Sequence, residues 1–346
     1  MQIQSVGINN RPKQKITLKN KASQTLPIAN DSVNFTGLMP NEAKKLIKLC
    51  VYDLDETLLN GSQTVRDKIF DFTKGKTLVY STARALKKVQ PFIDNKILVM
   101  PDYCVCNNGI NIYKNVNGKL EEITSWSEGL AKKFDKNKVR KLMVKIAKEN
   151  MFNKEDYIKT PLTEIPEGQK EFRGSKITEY EAYGSPLNIH FIFAPEVYKK
   201  TIGKIQKQLI ENGIEADVHF GNYPAEETSF EKFNYYFAAD VAKDIRKHVL
   251  PRLNPDKSVD TAVITPRTDK GKATEYLRNE LKLKEKEVFA AGDGENDYTN
   301  TNKGYLFALI SNACEGLKKL IGLDSAPNII KTTKPGAEGI WETIEP

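Results

Sequence analysis

The chain has 346 residues, of which 39% are hydrophobic and 28% are charged, with 21 Gly and 16 Pro. This composition and length are typical of a globular protein with about two domains. No run approaches the roughly 20 apolar residues that a membrane-spanning helix needs, and the N-terminus has no apolar segment of the kind found in secretory signals. The formal net charge of +8 is compatible with nucleic acid, a membrane surface or a phosphorylated substrate as partner. The position of the charges along the chain decides among these.

Half of the excess charge lies in residues 1–39, which carry five basic residues and one acidic residue. The segment is rich in Asn, Gln, Lys, Ser and Thr and has no sustained apolar period, so we predict a disordered basic leader over residues 1–40. A basic arm for an acidic partner and an organelle transit peptide are the alternatives. Because the remaining excess is spread over more than 300 residues, the charge gives little support to nucleic-acid binding.

The four cysteines do not have the spacing of a disulfide framework. Cys104 and Cys106 share one face of a predicted strand and are too close along it for a normal bridge, while Cys50 lies in an apolar run and Cys314 stands alone. We therefore predict reduced thiols and a cytoplasmic protein.

The first and last parts of the chain alternate strand-like with helix-like segments. The strand-like segments are apolar on both faces, as buried parallel strands are, and polar residues follow them at their carboxyl ends, where open α/β sheets bind ligands. The predicted fold class is therefore α/β with a parallel sheet. The predicted strands are Lys48–Leu54, Thr77–Tyr80, Tyr103–Cys106, Val288–Ala291, Tyr305–Leu309 and Asn328–Ile330.

The pattern in the middle of the chain predicts a separate α+β unit inserted into this domain. We predict a helix over Glu196–Asn212 that ends at Gly213. The predicted strands of the unit are Asn188–Phe193, Ala216–Phe220 and Asp260–Ile264. The segment Asn222–Ser258 of this unit contains a predicted helical stretch around Ala238–Leu250. The sequence does not indicate its role.

Four polar signals stand at predicted strand ends or helix starts. Asp53 and Asp55 straddle a sharp turn after a strand, so that one can be a nucleophile and the other an acid or base; an acidic turn that caps the next helix is the alternative. Thr82 offers a hydroxyl at a helix start, where free amides bind phosphate oxygens; an N-cap is the alternative. Lys270 opens a helix and can neutralise phosphate; a solvent-exposed lysine, which is more common, is the alternative.

The fourth signal is Gly292-Asp293-Gly294-Glu295-Asn296-Asp297 after a buried strand. Asp293 and Asp297, four residues apart, can present two oxygens to one hard cation. Gly292 and Gly294 allow the backbone to turn tightly.

Together and in this order, the four signals resemble those of the haloacid dehalogenase (HAD) superfamily of phosphotransferases. The long insert between the second and third resembles the IIB, Cof-like branch. The sucrose-phosphatase group is the most similar, on YDLDETLL, LVYSTAR, DYCVCNNGINIY, TPRTDKGKATEYLRNEL and AAGDGENDYTNT. The chain departs from the family pattern at Ala83, where the family usually has Gly, and at Asn222–Ser258, which is longer than the usual cap connection.

The resemblance implies a HAD-like Rossmannoid core over residues 41–114 and 266–346 and an inserted α+β cap over residues 115–265 that selects the substrate. It also implies that Asp53 is the nucleophile, that Asp55 is the acid and base, and that Mg²⁺ is the cofactor. The implied metal ligands are Asp53, Asp55 (through its backbone carbonyl), Asp293 and Asp297 (through water or as an orienting group), and the implied phosphate-binding residues are Thr82, Lys270 and Asn296.

The resulting hypothesis is a Mg²⁺-dependent phosphatase of a small phosphorylated sugar, such as sucrose 6-phosphate or a related sugar phosphate. A phosphomannomutase-like phosphotransferase, a broad Cof-like sugar-phosphate or nucleotide phosphatase, and a non-catalytic binding protein are the alternatives. The oligomeric state stays open. Candidate sugar contacts in the cap are His190, Tyr183, Phe191, Phe193, Tyr223, Tyr235 and Tyr236, although core packing is the more common role of most such residues.

Overall fold

The computed structural model describes residues 35–36, 38–149, 157–159, 177–180, 187–193, 195–224, 258–301, 303–324 and 328–345. Two sheets organise these residues. No helix within the described ranges is long and apolar enough to cross a membrane.

The larger sheet has nine strands in the order β1-β14-β13-β12-β2-β3-β4-β5-β6. Across the sheet, the seven strands from β1 at one edge through β4 are all parallel to their neighbours. The hairpin of β5 and β6 continues the sheet beyond β4 in antiparallel pairing. Numbered along the whole chain, its strands are β1 (Phe35–Thr36), β2 (Leu49–Tyr52), β3 (Thr77–Ser81), β4 (Tyr103–Cys106), β5 (Asn111–Val116), β6 (Lys119–Glu122), β12 (Val288–Gly292), β13 (Leu306–Leu309) and β14 (Ile329–Lys331).

Helices cover both faces of this sheet. Along β2, Cys50 and Tyr52 contribute to one hydrophobic cluster, and Leu49 and Val51 contribute to the other. Side chains of a strand alternate between faces, so the apolar run of β2 is explained by burial on both sides. The helices of this part are α1 (Asn41–Leu46), α2 (Gln63–Thr73), α3 (Leu86–Asp94), α7 (Lys270–Glu280), α8 (Tyr298–Thr301), α9 (Glu315–Asp324) and α10 (Gly336–Ile344).

The smaller sheet has five strands in the order β10-β11-β9-β8-β7. Its neighbours are antiparallel except β7 and β8, which are parallel. Gly213 has a φ of +65° just after the long helix α6, as a helix-ending glycine should. The elements are β7 (Tyr157–Lys159), β8 (Ile177–Tyr180), β9 (Ile189–Phe193), β10 (Ala216–Pro224), β11 (Ser258–Pro266), α4 (Thr124–Lys133), α5 (Lys136–Glu149) and α6 (Pro195–Glu211).

These elements confirm the predicted α/β class, and the predicted strands appear within a few residues of their expected bounds. One expected boundary differs. Residues 115–122, assigned above to the insert, complete the hairpin of β5 and β6 in the core sheet. Asn117 and Gly118 turn this hairpin with φ values of +53° and +81°, and the Asn-Gly pair is the usual signal of such a turn.

The end of the expected leader is also ordered. Phe35 and Thr36 pair with Ile330 and Lys331 of β14, and the buried Met39 donates its backbone N–H to Thr343 O at 2.9 Å. The prediction of disorder is therefore wrong for these residues. Burial of the Met39 side chain and pairing with the edge of β14 offset the conformational entropy that is lost when they become ordered. Residues 1–34 and most of the segment Asn222–Ser258, including the expected helix at Ala238–Leu250, lie outside the described residues.

Candidate active site

The carboxyl ends of β2, β3 and β12 bring the predicted site residues to one edge of the core sheet. Asp53 follows β2, Thr82 follows β3, and Asp293 follows β12. Lys270, the first residue of α7, has its ammonium group at Asp53. Parallel strands end at the same edge, so residues more than 200 positions apart in sequence converge here.

Lys270 lies between two buried carboxylates. Its Nζ donates to Asp53 Oδ1 at 2.5 Å and to Asp297 Oδ1 at 2.8 Å. The exposed fractions of the three side chains are 1% for Lys270, 7% for Asp53 and 2% for Asp297. Burial alone would lower the pKa of Lys270, but Asp297 and Asp53 outweigh it and raise that pKa above its usual value. Lys270 is therefore charged at neutral pH.

Asp53 has a pKa well above its usual value. Burial is the largest cause; Lys270 opposes it, and the charges of Asp297 and Asp293 add to it. Asp293 accepts a hydrogen bond from Thr57 Oγ1 at 2.9 Å. Burial, followed by the charge of Asp297, raises the pKa of Asp293 to about 6. The site therefore holds more negative charge than Lys270 can balance.

Asp53, Asp293 and Asp297 fit a metal ion. One carboxylate oxygen from each lies within 4.8 Å of the others. Hard oxygen donors of this kind suit Mg²⁺, and a dication would offset the neighbouring negative charges that add to burial in raising the two pKa values. The three side chains are thus a chemically suitable cation site.

Gly292 leaves space for Asp297, and the backbone of Gly294 binds it. A Cβ on Gly292 would lie 2.3 Å from Asp297 Cγ, so a side chain there would collide with the carboxylate. The backbone N–H of Gly294 donates to Asp297 Oδ2 at 3.1 Å, which fixes the carboxylate from its other side. The structure thus requires glycine at position 292 for the packing of Asp297, which is a different reason from the tight turn expected from the sequence.

Asp55 faces Arg84 rather than the carboxylate cluster. Arg84 Nε donates to both Asp55 carboxylate oxygens, at 3.1 and 2.9 Å, and a terminal nitrogen of Arg84 also contacts Oδ1. The guanidinium carbon of Arg84 lies 5.1 Å from the centroid of the Phe92 ring. No role for Arg84 was predicted from the sequence, although an Arg two residues after a predicted phosphate-binding Thr is a signal that points to the site.

The turn that separates Asp53 from Asp55 continues through Glu56, which has a φ of +53°. The side chain of Asn312 braces this turn, because its Nδ2 donates to Glu56 O at 2.8 Å and its Oδ1 accepts from Gly336 N at 2.9 Å. Asn312 was not predicted from the sequence, because no local pattern indicates that an Asn will bind a residue 256 positions away.

Thr82 is fully buried, and its Oγ1 accepts from Arg84 N at 3.1 Å. Its hydroxyl proton is therefore left to be donated to another acceptor. Asn296 lies at the exposed rim of the site, where its Nδ2 donates to Asn108 Oδ1 at 2.9 Å. Asn108 is a further residue at the site that was not predicted from the sequence.

In the insert, the described candidates for sugar contacts belong to β9. Phe191 is fully buried and is therefore a packing residue in this structure. His190 on the same strand has its pKa lowered to about 3, first by burial and then by the charge of Lys136. The side chains of the other candidates, Tyr183, Phe193, Tyr223, Tyr235 and Tyr236, lie outside the described residues.

Comparisons with known structures agree with this architecture. The sucrose-phosphatase from Synechocystis sp. PCC6803, solved in complex with sucrose and phosphate, is 18% identical with a TM-score of 0.54, and the match covers 85% of this chain and 95% of that one. A haloacid dehalogenase-like hydrolase protein from Bacillus subtilis is 17% identical with a TM-score of 0.54, over 89% of this chain and 94% of that one. At these identities the matches establish the fold, which is HAD-like.

No protein with a curated description matches the chain. The family model of sucrose-6F-phosphate phosphohydrolase, in contrast, matches residues 46–159 and 234–345. The first match contains Asp53, Asp55 and Thr82, and the second contains Lys270 and Asp293. The chain therefore belongs to the sucrose-6F-phosphate phosphohydrolase family and is a phosphatase of the HAD type.

Proposed function

We propose that this phosphatase hydrolyses a small phosphorylated sugar, sucrose 6-phosphate or a related sugar phosphate, through an aspartyl-phosphate intermediate. The arrangement around Asp53 carries the proposal. Its buried carboxylate contacts the Lys270 ammonium group at 2.5 Å, lies beside Asp293 and Asp297, and is followed two residues later by the Arg84-bound Asp55. These groups supply a nucleophile, positive charge and a proton carrier at one sheet edge.

In the first step, an oxygen of Asp53 attacks phosphorus in line with the sugar oxygen. The new bond joins Asp53 to phosphorus, the bond from phosphorus to the sugar oxygen breaks, and Asp55 gives its proton to the departing oxygen. Arg84 then stabilises the carboxylate that remains on Asp55, since its guanidinium already contacts both oxygens.

In the second step, Asp55 accepts a proton from a water molecule that attacks the phosphorus of the aspartyl phosphate. The bond between phosphorus and Asp53 breaks, which releases inorganic phosphate and regenerates both carboxyl groups. The same residue therefore serves first as acid and then as base, and water is the only reactant consumed besides the phosphorylated sugar.

Lys270, the Thr82 hydroxyl and Asn296 bind the phosphoryl oxygens in this proposal. The proposed metal ligands are Asp53, Asp293 and the backbone carbonyl of Asp55, with Asp297 acting through water or as an orienting group. Mg²⁺ bound there would neutralise phosphoryl charge. The carboxylate spacing within 4.8 Å and the raised pKa values of Asp53 and Asp293 support the assignment.

The proposed domain roles follow the two sheets. Residues 41–114 and 266–346, extended by the hairpin to residue 122, would form the catalytic core, and the rest of the insert up to residue 265 would form the cap that selects the sugar. The presence of sucrose and phosphate in the Synechocystis sucrose-phosphatase structure supports a sugar phosphate as substrate. We assign the protein to the cytoplasm, which fits the thiol state of the buried Cys50, Cys104 and Cys106.

A phosphate-release screen tests the proposal. The purified chain would be incubated with Mg²⁺ and a panel of phosphorylated mono- and disaccharides that includes sucrose 6-phosphate, together with nucleotides. We expect release of inorganic phosphate from at least one sugar phosphate without a bisphosphate activator. Turnover confined to nucleotides, or a requirement for a sugar bisphosphate, would contradict the proposed substrate class or reaction.

A further inference from the structure

The loop Asn107–Gly109, which follows β4, has an unusual backbone. Its three residues have φ values of +52°, +55° and +93° in succession. Side-chain-bearing residues rarely adopt positive φ, and Asn tolerates it better than most. Two consecutive Asn residues in this state indicate that contacts around the loop impose its shape.

Those contacts join the loop to two of the proposed phosphate-binding segments. The backbone N–H of Asn108 donates to Thr82 O at 3.1 Å, and the N–H of Asn107 donates to Arg84 O at 2.9 Å. A Cβ on Gly109 would lie 2.3 Å from Asp269 O, so the backbone of the loop lies directly against the start of the helix that carries Lys270. The loop is thus packed between the Thr82 segment and the Lys270 helix.

The side chain of Asn108 makes the connection to a third segment. Its Oδ1 accepts from Asn296 Nδ2 at 2.9 Å, across 188 residues of sequence. Asn296 is exposed, and an exposed amide without a fixed partner would sample several rotamers. The neighbouring Asn107 has the same backbone conformation but a different partner, since its Nδ2 donates to Asn111 Oδ1 at 2.9 Å.

We propose that Asn108 is a positioning residue that orients the carboxamide of Asn296 for the phosphate of the substrate. It links the Asn296 loop to Thr82, so that two phosphate-binding segments keep a fixed separation. The inference rests on the proposed function, because it takes Asn296 to be a phosphate-binding residue. Asn108 itself acts through Asn296 and takes no part in the chemistry.

The expected effect is modest and falls on substrate binding. The hydrogen bond is exposed and uncharged, so its loss corresponds to about a fivefold change in affinity. A contact made equally in the ground state and the transition state changes KM and leaves kcat unchanged. A loss of fold, in contrast, would lower the amount of active enzyme and the apparent kcat.

A double-mutant cycle tests the inference. Asn108→Gly removes the side chain and keeps a residue suited to positive φ; Asn296→Ala and the double variant complete the cycle. We expect each single variant to raise KM and to weaken the binding of inorganic phosphate in Mg²⁺ about fivefold. The double variant should be no worse than Asn296→Ala, because coupled residues are not additive. Asn107→Gly is the matched control and should keep the wild-type KM.

Independent, multiplying effects of Asn108→Gly and Asn296→Ala would overturn the inference, and so would an equal rise in KM for Asn107→Gly. Unchanged phosphate affinity in Asn108→Gly and Asn296→Ala would overturn it as well. The proposed function fails separately, if the wild type releases no phosphate from any sugar phosphate. Binding of inorganic phosphate, measured by calorimetry, still reports on the Asn pair in that case.

Discussion

At the scale of single residues, Asp53 combines a deeply buried carboxylate with a paired cation. We expect Asp53→Asn to abolish phosphate release, since an amide cannot form the aspartyl phosphate. The fold should survive, because Asn has nearly the same shape and Lys270 keeps its 2.8 Å contact with Asp297. Phosphate release and thermal unfolding would be measured beside Asp71→Asn, which changes the charge equally at an exposed position. Near-normal turnover by Asp53→Asn would exclude Asp53 as the nucleophile.

Arg84 is the second residue whose role can be isolated. Arg84→Gln should lower kcat for a sugar phosphate by about 100-fold, the lower end of what a positioned acid contributes, because Asp55 loses the bidentate partner that orients it. An aryl phosphate with a good leaving group needs no proton in the first step, so its turnover should fall less. Comparing kcat for the two substrates is the measurement, and an equal loss on both would argue against an effect through Asp55 as an acid.

At the scale of structural elements, the close approach of the Asn107–Gly109 loop to the Lys270 helix predicts a selective sensitivity. A non-glycine residue at a positive φ costs about 1–3 kcal/mol. Gly109→Ala should destabilise the protein by more than this, because the added Cβ would also lie 2.3 Å from Asp269 O. Gly75→Ala is the control, since Gly75 also has a positive φ, of +76°, but its Cβ would meet no atom within 4 Å. Equal losses in urea-unfolding free energy would contradict the packing argument.

The elements also differ in how far the sequence predicts them. Strands such as Tyr103–Cys106 carry their own signal, because burial on both faces requires a short apolar run. The hairpin of β5 and β6 has an Asn-Gly turn that marks it as a hairpin, but its place in the core sheet depends on pairing with β4. The pairing of Phe35 and Thr36 with β14 depends in the same way on an available strand edge.

At the scale of the whole molecule, we expect the acidic cluster to couple stability to pH and to divalent cations. Burial and Asp297 raise the pKa of Asp293 from 3.8 to about 6, so in metal-free protein the folded state binds protons more tightly than the unfolded state. The stability from this group is present below pH 3.8 and is lost as the pH rises through about 6. A bound cation should replace that proton.

Mg²⁺ should therefore raise the Tm more at pH 7.5 than at pH 5, because protons compete with the cation for the carboxylates. Thermal unfolding at both pH values, with Mg²⁺ and with a chelator, measures this difference. Phosphatase activity should disappear in the chelator, and Ca²⁺ should restore it poorly, since Ca²⁺ favours looser and higher coordination. Full activity in the chelator, or a Tm shift independent of pH, would refute the metal assignment.

The sequence by itself determined the α/β class, the strand ends that carry polar residues and the order of the four signals, because these are local patterns of burial and residue type. Only the tertiary structure decided how the side chains meet. It joins Lys270 to Asp53 across 217 residues, Arg84 to Asp55, and Asn296 to Asn108 across 188 residues. Such contacts depend on strand order, on the positive φ at Glu56 and Asn108, and on close packing at Gly292 and Gly109. These are properties of the assembled backbone and not of any local stretch of sequence.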